Sequence, residues 1–196
     1  MPQLFTEGEP PNRLVLSFPD SWTVVKYDEP GRHFYQQFIK TLGADLTAVD
    51  FIAATADRSR LWLIEVKDFR GHEVVNRKRL TSGSLAVEVM NNFMDTLTGL
   101  FAGIHGKQPE LLGLESTFRN PNVEVCATLL VATDALPDQS NPKQLPPGEQ
   151  KRLAAELEWR GNLLRDFKSR LKNQFRFKTH LFDYALIDAR YEWTAN

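Results

Sequence analysis

The chain has 196 residues, of which 42% are hydrophobic and 25% charged, and its formal net charge is -1. These values are typical of one globular domain with a full hydrophobic core, and they exclude a globally basic nucleic-acid-binding protein. No apolar run approaches the roughly 20 residues of a membrane-spanning helix, and residues 1–13 lack the pattern of a signal peptide. We therefore expect a single-domain cytoplasmic protein that does not enter a membrane.

The first quarter of the chain predicts short strands followed by a helix. Residues 13–29 read as one or two strands with a break at Pro19. Residues 32–42 predict a helix, and Gly43 is a suitable stop. Apolar positions recur every four residues in this helix and predict its buried face: Phe34, Phe38 and Leu42.

The middle of the chain predicts a hairpin, a helix and a buried strand. Residues 46–67 read as two strands around a turn at Asp57 and Arg58, and residues 85–104 read as a helix with a broad apolar face. Residues 123–132 form an apolar run with the lone Cys126, which a buried strand explains without disulfide or metal chemistry. The helix also carries a polar stripe that we expect to face solvent: Glu88, Asn91, Asn92 and Asp95.

The last part of the chain predicts a loop, a helix and a strand. Residues 134–148 are a Pro-rich loop that is too long for a simple connection, residues 149–172 are a long amphipathic helix, and residues 179–188 are a final strand. Strands and helices in this mixed order predict an α/β fold with a central mixed sheet flanked by helices. We expect one domain over residues 1–196.

Three ionisable residues stand at the open end of the predicted hairpin. The second strand is continuously apolar over residues 61–64, so both of its faces should be covered by other structure. A turn centred at residues 57–58 places Asp50 directly opposite Glu65, with both side chains on the same face of the sheet. Lys67, two residues further along the strand, points to that face as well.

Two carboxylates this close repel each other, and a divalent cation would remove the conflict. Mg²⁺ is commonly held by one or two carboxylates and completes its shell with water or phosphate oxygens. Lys67 could then hold or deprotonate a water, or neutralise charge that develops on an attacked phosphorus. The alternative interpretation is a solvated strand end at which Lys67 forms a salt bridge with Glu65 or Asp50.

Asp50, a gap of fourteen residues and then Glu65-Val66-Lys67 resemble the signature of the PD-(D/E)XK nucleases, the restriction-endonuclease-like superfamily. The resemblance covers about residues 25–135, and it implies a core of a helix, three antiparallel strands, a second helix and a further strand. It also implies that Asp50 and Glu65 bind Mg²⁺ or Mn²⁺ and that Lys67 acts on the attacking water. Residues 149–190 would pack on this core.

The chain departs from the family pattern at two places. Val49 stands where the family name has proline, and the first predicted helix has no glutamate of the kind that assists metal binding in many members. Four residues near that helix could take this assisting role: Asp28, Glu29, Gln36 and Gln37.

Basic residues for phosphate contacts gather in two places. The first group directly follows the hairpin and includes Arg70, Arg77, Lys78 and Arg79. The second group lies at residues 165–178, where phenylalanines that could stack on bases are interspersed. Cations near a helix C-terminus and core phenylalanines would explain the second group equally well.

These features predict a metal-dependent nuclease that hydrolyses phosphodiester bonds, with DNA preferred over RNA as its partner. The alternative is a catalytically inactive nuclease-fold binding or scaffold module in a defence or repair complex. A homodimer or a protein complex is compatible with either function, and the loop 134–148 could be a partner surface or a lid.

Overall fold

The computed structural model describes residues 1–10, 12–29, 34–43, 45–72, 79, 82–134, 142–172, 177–183, 187 and 191–195, without the side chains of residues 167 and 172. Within these ranges the strands are β1 (Gln3–Glu7), β2 (Leu14–Phe18), β3 (Thr23–Lys26), β4 (Phe51–Ala54), β5 (Arg60–Asp68), β6 (Glu124–Ala132), β7 (Lys178–Asp183) and β8 (Thr194–Ala195). The α-helices are α1 (Lys40–Leu42), α2 (Ser84–His105), α3 (Leu112–Phe118) and α4 (Pro147–Phe167). A π-helical turn, Tyr35–Ile39, precedes α1, another, Lys168–Lys172, follows α4, and short 3-10 turns occupy Pro109–Leu111 and Pro142–Gln144.

Five strands form the central sheet in the order β3-β4-β5-β6-β7. β4 is antiparallel to both β3 and β5, whereas β5, β6 and β7 run parallel to one another. The parallel step from β5 to β6 requires a crossover, and α2 and α3 supply it. The α/β fold with a mixed sheet flanked by helices is therefore confirmed.

One face of the central sheet is covered by helices. The apolar face of α2 packs on it, and the completely buried residues there include Leu63 of β5, Leu129 of β6 and Phe93 of α2. α4 contacts the sheet at the end of β6 through Arg160, whose guanidinium donates to the Thr133 hydroxyl at 2.8 Å. The helical layer thus covers the face on which Asp50 and Glu65 were predicted to lie.

The opposite face is covered by a second, three-stranded antiparallel sheet of β1, β2 and β8. Aromatic rings fill the space between the two sheets, with Trp193 stacked on Phe18 at a centroid distance of 5.6 Å and Trp62 of β5 stacked on Trp22. Cys126 is buried in this layer, and burial raises the pKa of its thiol to about 12, as expected for an unreactive core cysteine.

The predicted buried face of the first helix is wrong for two of its three residues, whereas Phe34 packs against the helical core. Phe38 and Leu42 are 50% and 78% exposed, whereas Tyr35 and Ile39 are buried. The Tyr35 hydroxyl donates to the Leu46 carbonyl at 2.8 Å, and Ile39 lies close to Gly99 of α2, so these contacts fix which side faces the core. The predicted end of the helix at Gly43 is confirmed.

Several boundaries differ from the sequence prediction. α4 begins at Pro147, two residues inside the predicted loop, because proline is well suited to the first turn of a helix. Of that loop, residues 135–141 lie outside the described residues. β7 ends at Asp183, and residues 184–186 and 188 of the predicted strand are also outside the described residues.

No helix in the described part of the chain has the length and apolarity needed to cross a membrane.

Candidate active site at the end of the hairpin

The β4–β5 hairpin has the predicted register. Phe51 pairs with Ile64 and Ile52 with Leu63, so continuing the ladder by one step brings Asp50 opposite Glu65. The backbone N–H of Val66 donates to Asp50 Oδ2 at 2.6 Å, which holds this carboxylate at the end of β5. The site therefore lies at the carboxyl end of a strand in the parallel part of the sheet, where ligands of α/β proteins commonly bind.

Glu65 is buried at this position with one oxygen unpaired. Glu65 Oε1 forms an ion pair with Lys67 Nζ at 2.7 Å, while Glu65 Oε2 is buried without a hydrogen-bond partner. Burial raises the pKa of the Glu65 carboxyl despite the opposing effect of Lys67. An unpaired carboxylate oxygen at 3% residue exposure is costly, and it is the kind of atom that a bound cation would satisfy.

The Asp50 and Glu65 carboxyls repel each other. Asp50 keeps part of its surface exposed, yet it is densely surrounded by protein, and this burial raises the pKa of its carboxyl well above the usual value. The charges of Glu65 and Glu7 raise the pKa of Asp50 further, and the Val66 hydrogen bond opposes them. The pair thus favours retention of a proton in the metal-free protein.

Lys67 is held as an ammonium between two carboxylates. Its Nζ lies 2.7 Å from Glu65 Oε1 and 3.1 Å from Glu88 Oε1 of α2. Burial acts to lower the pKa of Lys67, but Glu65 and Glu88 together outweigh it, and the pKa is raised above the usual value. In this arrangement Lys67 can donate hydrogen bonds to an anion or a water, but it cannot accept a proton.

The polar stripe of α2 was predicted to face solvent, and this is wrong for most of its residues. Asn92 is buried beside Glu65, close enough to favour the charged carboxylate, although the geometry is not that of a regular hydrogen bond. Asp95 accepts from the Thr47 backbone N–H at 3.1 Å, Glu88 binds Lys67, and only Asn91 is exposed. Glu88 and Asn92 are thus site residues that the sequence interpretation missed.

The four predicted phosphate-binding cations have different environments. Arg70 forms an ion pair with Asp68 through Nε at 2.9 Å and Nη2 at 2.7 Å, so its guanidinium is engaged at the end of β5. Arg79 binds Oε2 of Glu88 and thereby reaches the group around Lys67. Arg77 and Lys78 lie outside the described residues.

Among the predicted assisting residues, Gln36 contacts the carboxylate of Asp28. Its side-chain amide donates to that carboxylate and, at 3.4 Å, to the Asp28 carbonyl. Burial raises the pKa of the Asp28 carboxyl, and the Gln36 hydrogen bond and, more weakly, the charge of Lys67 oppose this effect. Glu29 instead lines a cleft of about 430 Å³ between β1 and β3, and Gln37 is exposed.

The second basic group lies at the end of α4. Arg165 donates to the Asn162 side chain at 3.1 Å, while Lys168 and Arg170 are exposed on the following π-helical turn. Phe177 is partly buried against the helical core, so its ring is not presented for base stacking. Residues 173–176 lie outside the described residues.

The residues at the hairpin end fit a hard divalent cation as far as their chemistry is concerned. Asp50 and Glu65 supply carboxylate oxygens, and Glu65 Oε2 is unpaired. Mg²⁺ and Mn²⁺ prefer such ligands, and two carboxylates with water and phosphate oxygens are a common set for Mg²⁺. Within the described ranges, no three His, Cys, Asp or Glu side chains are already gathered in a metal-binding arrangement.

Replacing Asp28 by asparagine should weaken Mn²⁺ binding, whereas replacing Glu29 by glutamine should not. Asp28 is a half-buried carboxylate that accepts from Gln36, and Glu29 is its immediate neighbour in the chain but lines the separate cleft. We expect a loss of about three- to tenfold in affinity for Asp28→Asn, because a nearby negative charge is removed without removing a direct ligand. Calorimetric titration of both variants tests this, and equal affinities would exclude a role for Asp28.

Comparison with known proteins gives no match for this chain. It fits no protein-family model, and no curated protein and no solved structure is significantly similar to it. Its function is therefore inferred from the residues and distances at the end of the hairpin.

Proposed function

We propose that the protein is a metal-dependent nuclease that hydrolyses phosphodiester bonds, with DNA as the preferred substrate and RNA as the second choice. The observation that carries this proposal is the pair of opposed carboxyls, Asp50 and Glu65, with an unpaired buried oxygen on Glu65 beside the Lys67 ammonium. The ion pair with Lys67 engages only one oxygen of the Glu65 carboxylate. Here one oxygen remains available for a ligand.

The residues have distinct roles in this proposal. Asp50 and Glu65 hold Mg²⁺ or Mn²⁺, which when bound supplies Lewis acidity toward a phosphate. Lys67 lies next to Glu65 and donates hydrogen bonds to the phosphate oxygens, where negative charge grows during attack. Arg79, which pairs with Glu88 beside Lys67, contributes a second positive charge toward the substrate.

The order of elements also supports this proposal. The π-helical turn and α1 precede the β4–β5 hairpin, and α2 and the parallel strand β6 follow it. This order is similar to the one that the resemblance to PD-(D/E)XK nucleases implies for residues 25–135, except that two antiparallel strands rather than three follow the first helix. β3 completes an antiparallel unit with β4 and β5, although it comes before the first helix in the chain.

A second candidate function is a nuclease-fold module that binds a partner without cleavage, as a subunit or scaffold in a defence or repair complex. The observation in its favour is that Lys67 is already neutralised by Glu65 and Glu88, so the ion-pair group is complete without a substrate. Such a module would not need to bind Mn²⁺. It would instead bury a surface against a protein, or against a second copy of the chain.

The cytoplasm is the compartment that we propose for either function. The only cysteine of the sequence, Cys126, is buried and free, which is compatible with a reducing environment. A nucleic-acid substrate would also be available there.

Titration of Mn²⁺ into the wild type and into Glu65→Gln, together with cleavage assays on single- and double-stranded DNA and RNA, tests the proposal. We expect wild-type binding and metal-dependent cleavage, and a loss of at least about a hundredfold in both for Glu65→Gln, since even outer-shell changes cost 10- to 100-fold. Glu115→Gln is the matched control, because Glu115 pairs with Arg119 on the surface. Cleavage that survives in Glu65→Gln, from a preparation free of other nucleases, would refute the proposal.

A further inference from the structure

Glu88 bridges two cations at the edge of the candidate site. Its Oε1 lies 3.1 Å from Lys67 Nζ, and its Oε2 accepts from the Arg79 guanidinium, with Nε at 3.0 Å. One carboxylate thus presents an oxygen to an ammonium on β5 and another to a guanidinium that precedes α2. The two cations belong to different parts of the chain and share this single anion.

The bridge is accessible to solvent. The side chains of Glu88 and Arg79 are 35% and 36% exposed, and that of Lys67 is 21% exposed. Ion pairs at such positions contribute little to stability, because water screens the charges and long side chains lose entropy when they are fixed. A competing anion can therefore reach Lys67 and Arg79 and displace the Glu88 carboxylate at low cost.

A phosphate group offers the same contacts as the Glu88 carboxylate. Both present two or more oxygens that can accept from a guanidinium and an ammonium at the same time, and arginine binds carboxylate and phosphate in closely similar ways. The Glu88 carboxylate also cancels positive charge that would attract a phosphate. The Glu88 carboxylate therefore occupies the position at which Lys67 and Arg79 would hold an anionic group of a substrate.

We infer that Lys67 and Arg79 form a binding site for a phosphate group of the substrate and that Glu88 occupies this site as an internal substitute. An arriving phosphodiester displaces the Glu88 carboxylate and takes over its contacts with the two cations. Glu88 thereby keeps the site closed to weakly bound anions and opens it to a polyanionic chain. This inference adds a regulatory contact to the proposed nuclease site and rests on that function for its biological meaning.

Binding of inorganic phosphate in the presence of EDTA tests the inference without any metal or cleavage. Glu88→Gln removes the negative charge and keeps the shape of the side chain, so its phosphate affinity should rise by about three- to tenfold over the wild type. Glu115→Gln removes a comparable surface carboxylate that pairs with Arg119 and should leave the affinity unchanged. Arg79→Gln combined with Glu88→Gln should abolish the gain, because half of the site is then missing.

An unchanged or weaker phosphate affinity of folded Glu88→Gln would overturn the inference and leave Glu88 as a structural tether of Lys67. If Glu88→Gln does not fold, Arg79→Gln alone decides. The inference then requires at least about a threefold weaker phosphate affinity than in the wild type, and an unchanged affinity overturns it.

The Mn²⁺-dependent cleavage assay separates this inference from the proposed function. A gain in phosphate affinity for Glu88→Gln without cleavage by any variant supports the anion site and refutes the nuclease. Cleavage by the wild type without a gain for Glu88→Gln supports the nuclease and refutes the role of Glu88.

Discussion

Replacing Asp50 by asparagine is expected to stabilise the metal-free protein while it abolishes Mn²⁺ binding. Asparagine keeps an oxygen that can accept from the Val66 N–H, but it removes the charge that repels Glu65. We expect a gain of about 0.5–2 kcal/mol in the free energy of unfolding at pH 7, which is common for a single stabilising substitution. Urea denaturation in EDTA measures the gain, and calorimetry measures the loss of metal binding.

The gain in the free energy of unfolding for Asp50→Asn should decrease as the pH falls. The pKa of Asp50 is raised in the folded state, so between the unfolded and folded pKa values the folded protein binds more protons than the unfolded chain. Wild-type stability therefore falls as pH rises through this window, and the advantage of Asp50→Asn should be present at pH 7 and shrink toward pH 4.

Asp57 provides the opposite control for this prediction. Hydrogen bonds from Thr55 and Ser59 lower the pKa of this turn carboxyl to about 2, so Asp57→Asn should destabilise the protein at pH 7. A less stable Asp50→Asn protein would show that the opposed carboxyls are not strained.

Replacing Lys67 by methionine is expected to cause a large loss of stability. The change leaves Glu65 buried without a cation, and removal of one partner from a buried ion pair typically costs 3–5 kcal/mol. Because Lys67 is partly exposed, we expect about 2–4 kcal/mol in the free energy of unfolding, together with loss of any metal-dependent cleavage. Urea denaturation in EDTA measures the first effect independently of the second.

A second substitution separates the charge effect from lost packing. Glu65→Gln in the Lys67→Met background removes the uncompensated charge and should restore a large part of the stability, without restoring cleavage. Arg119→Met breaks an exposed pair with Glu115 and should cost less than about 0.5 kcal/mol. If the double variant is no more stable than Lys67→Met, the loss of stability comes from packing and not from the uncompensated charge of Glu65.

Local patterns in the sequence predict the elements that are long or regularly spaced. The hairpin register follows from one turn and a two-residue strand period, and α2 follows from its apolar positions. β1 and β8 could not be predicted in the same way, because β8 has two residues and β1 has no strongly buried face of its own. β1 pairs with β2 across a short connection, whereas the pairing of β8 with β2 depends on contacts that are distant in sequence.

The site is predictable to the same extent. Asp50, Glu65 and Lys67 follow from strand pairing, since a register of two strands fixes which side chains share a face. Glu88 and Asn92 are spaced by four residues and flank buried positions of α2, but only the packing of α2 on β5 shows that they meet Lys67 and Glu65. The first helix shows the reverse case, in which a regular apolar stripe at Phe38 and Leu42 faces outward because Tyr35 and Ile39 make the specific contacts.

The pairing of Leu16 with Ala195 has a consequence for the order of folding. This contact joins residues from opposite ends of the described chain, so we expect it to form after local contacts such as the hairpin, because a long loop must close first. The aromatic layer between the two sheets is therefore complete around Trp62 only after Trp193 has been synthesised. Until Trp193 is in place, the rings of Phe18 and Trp62 lack one of their aromatic partners.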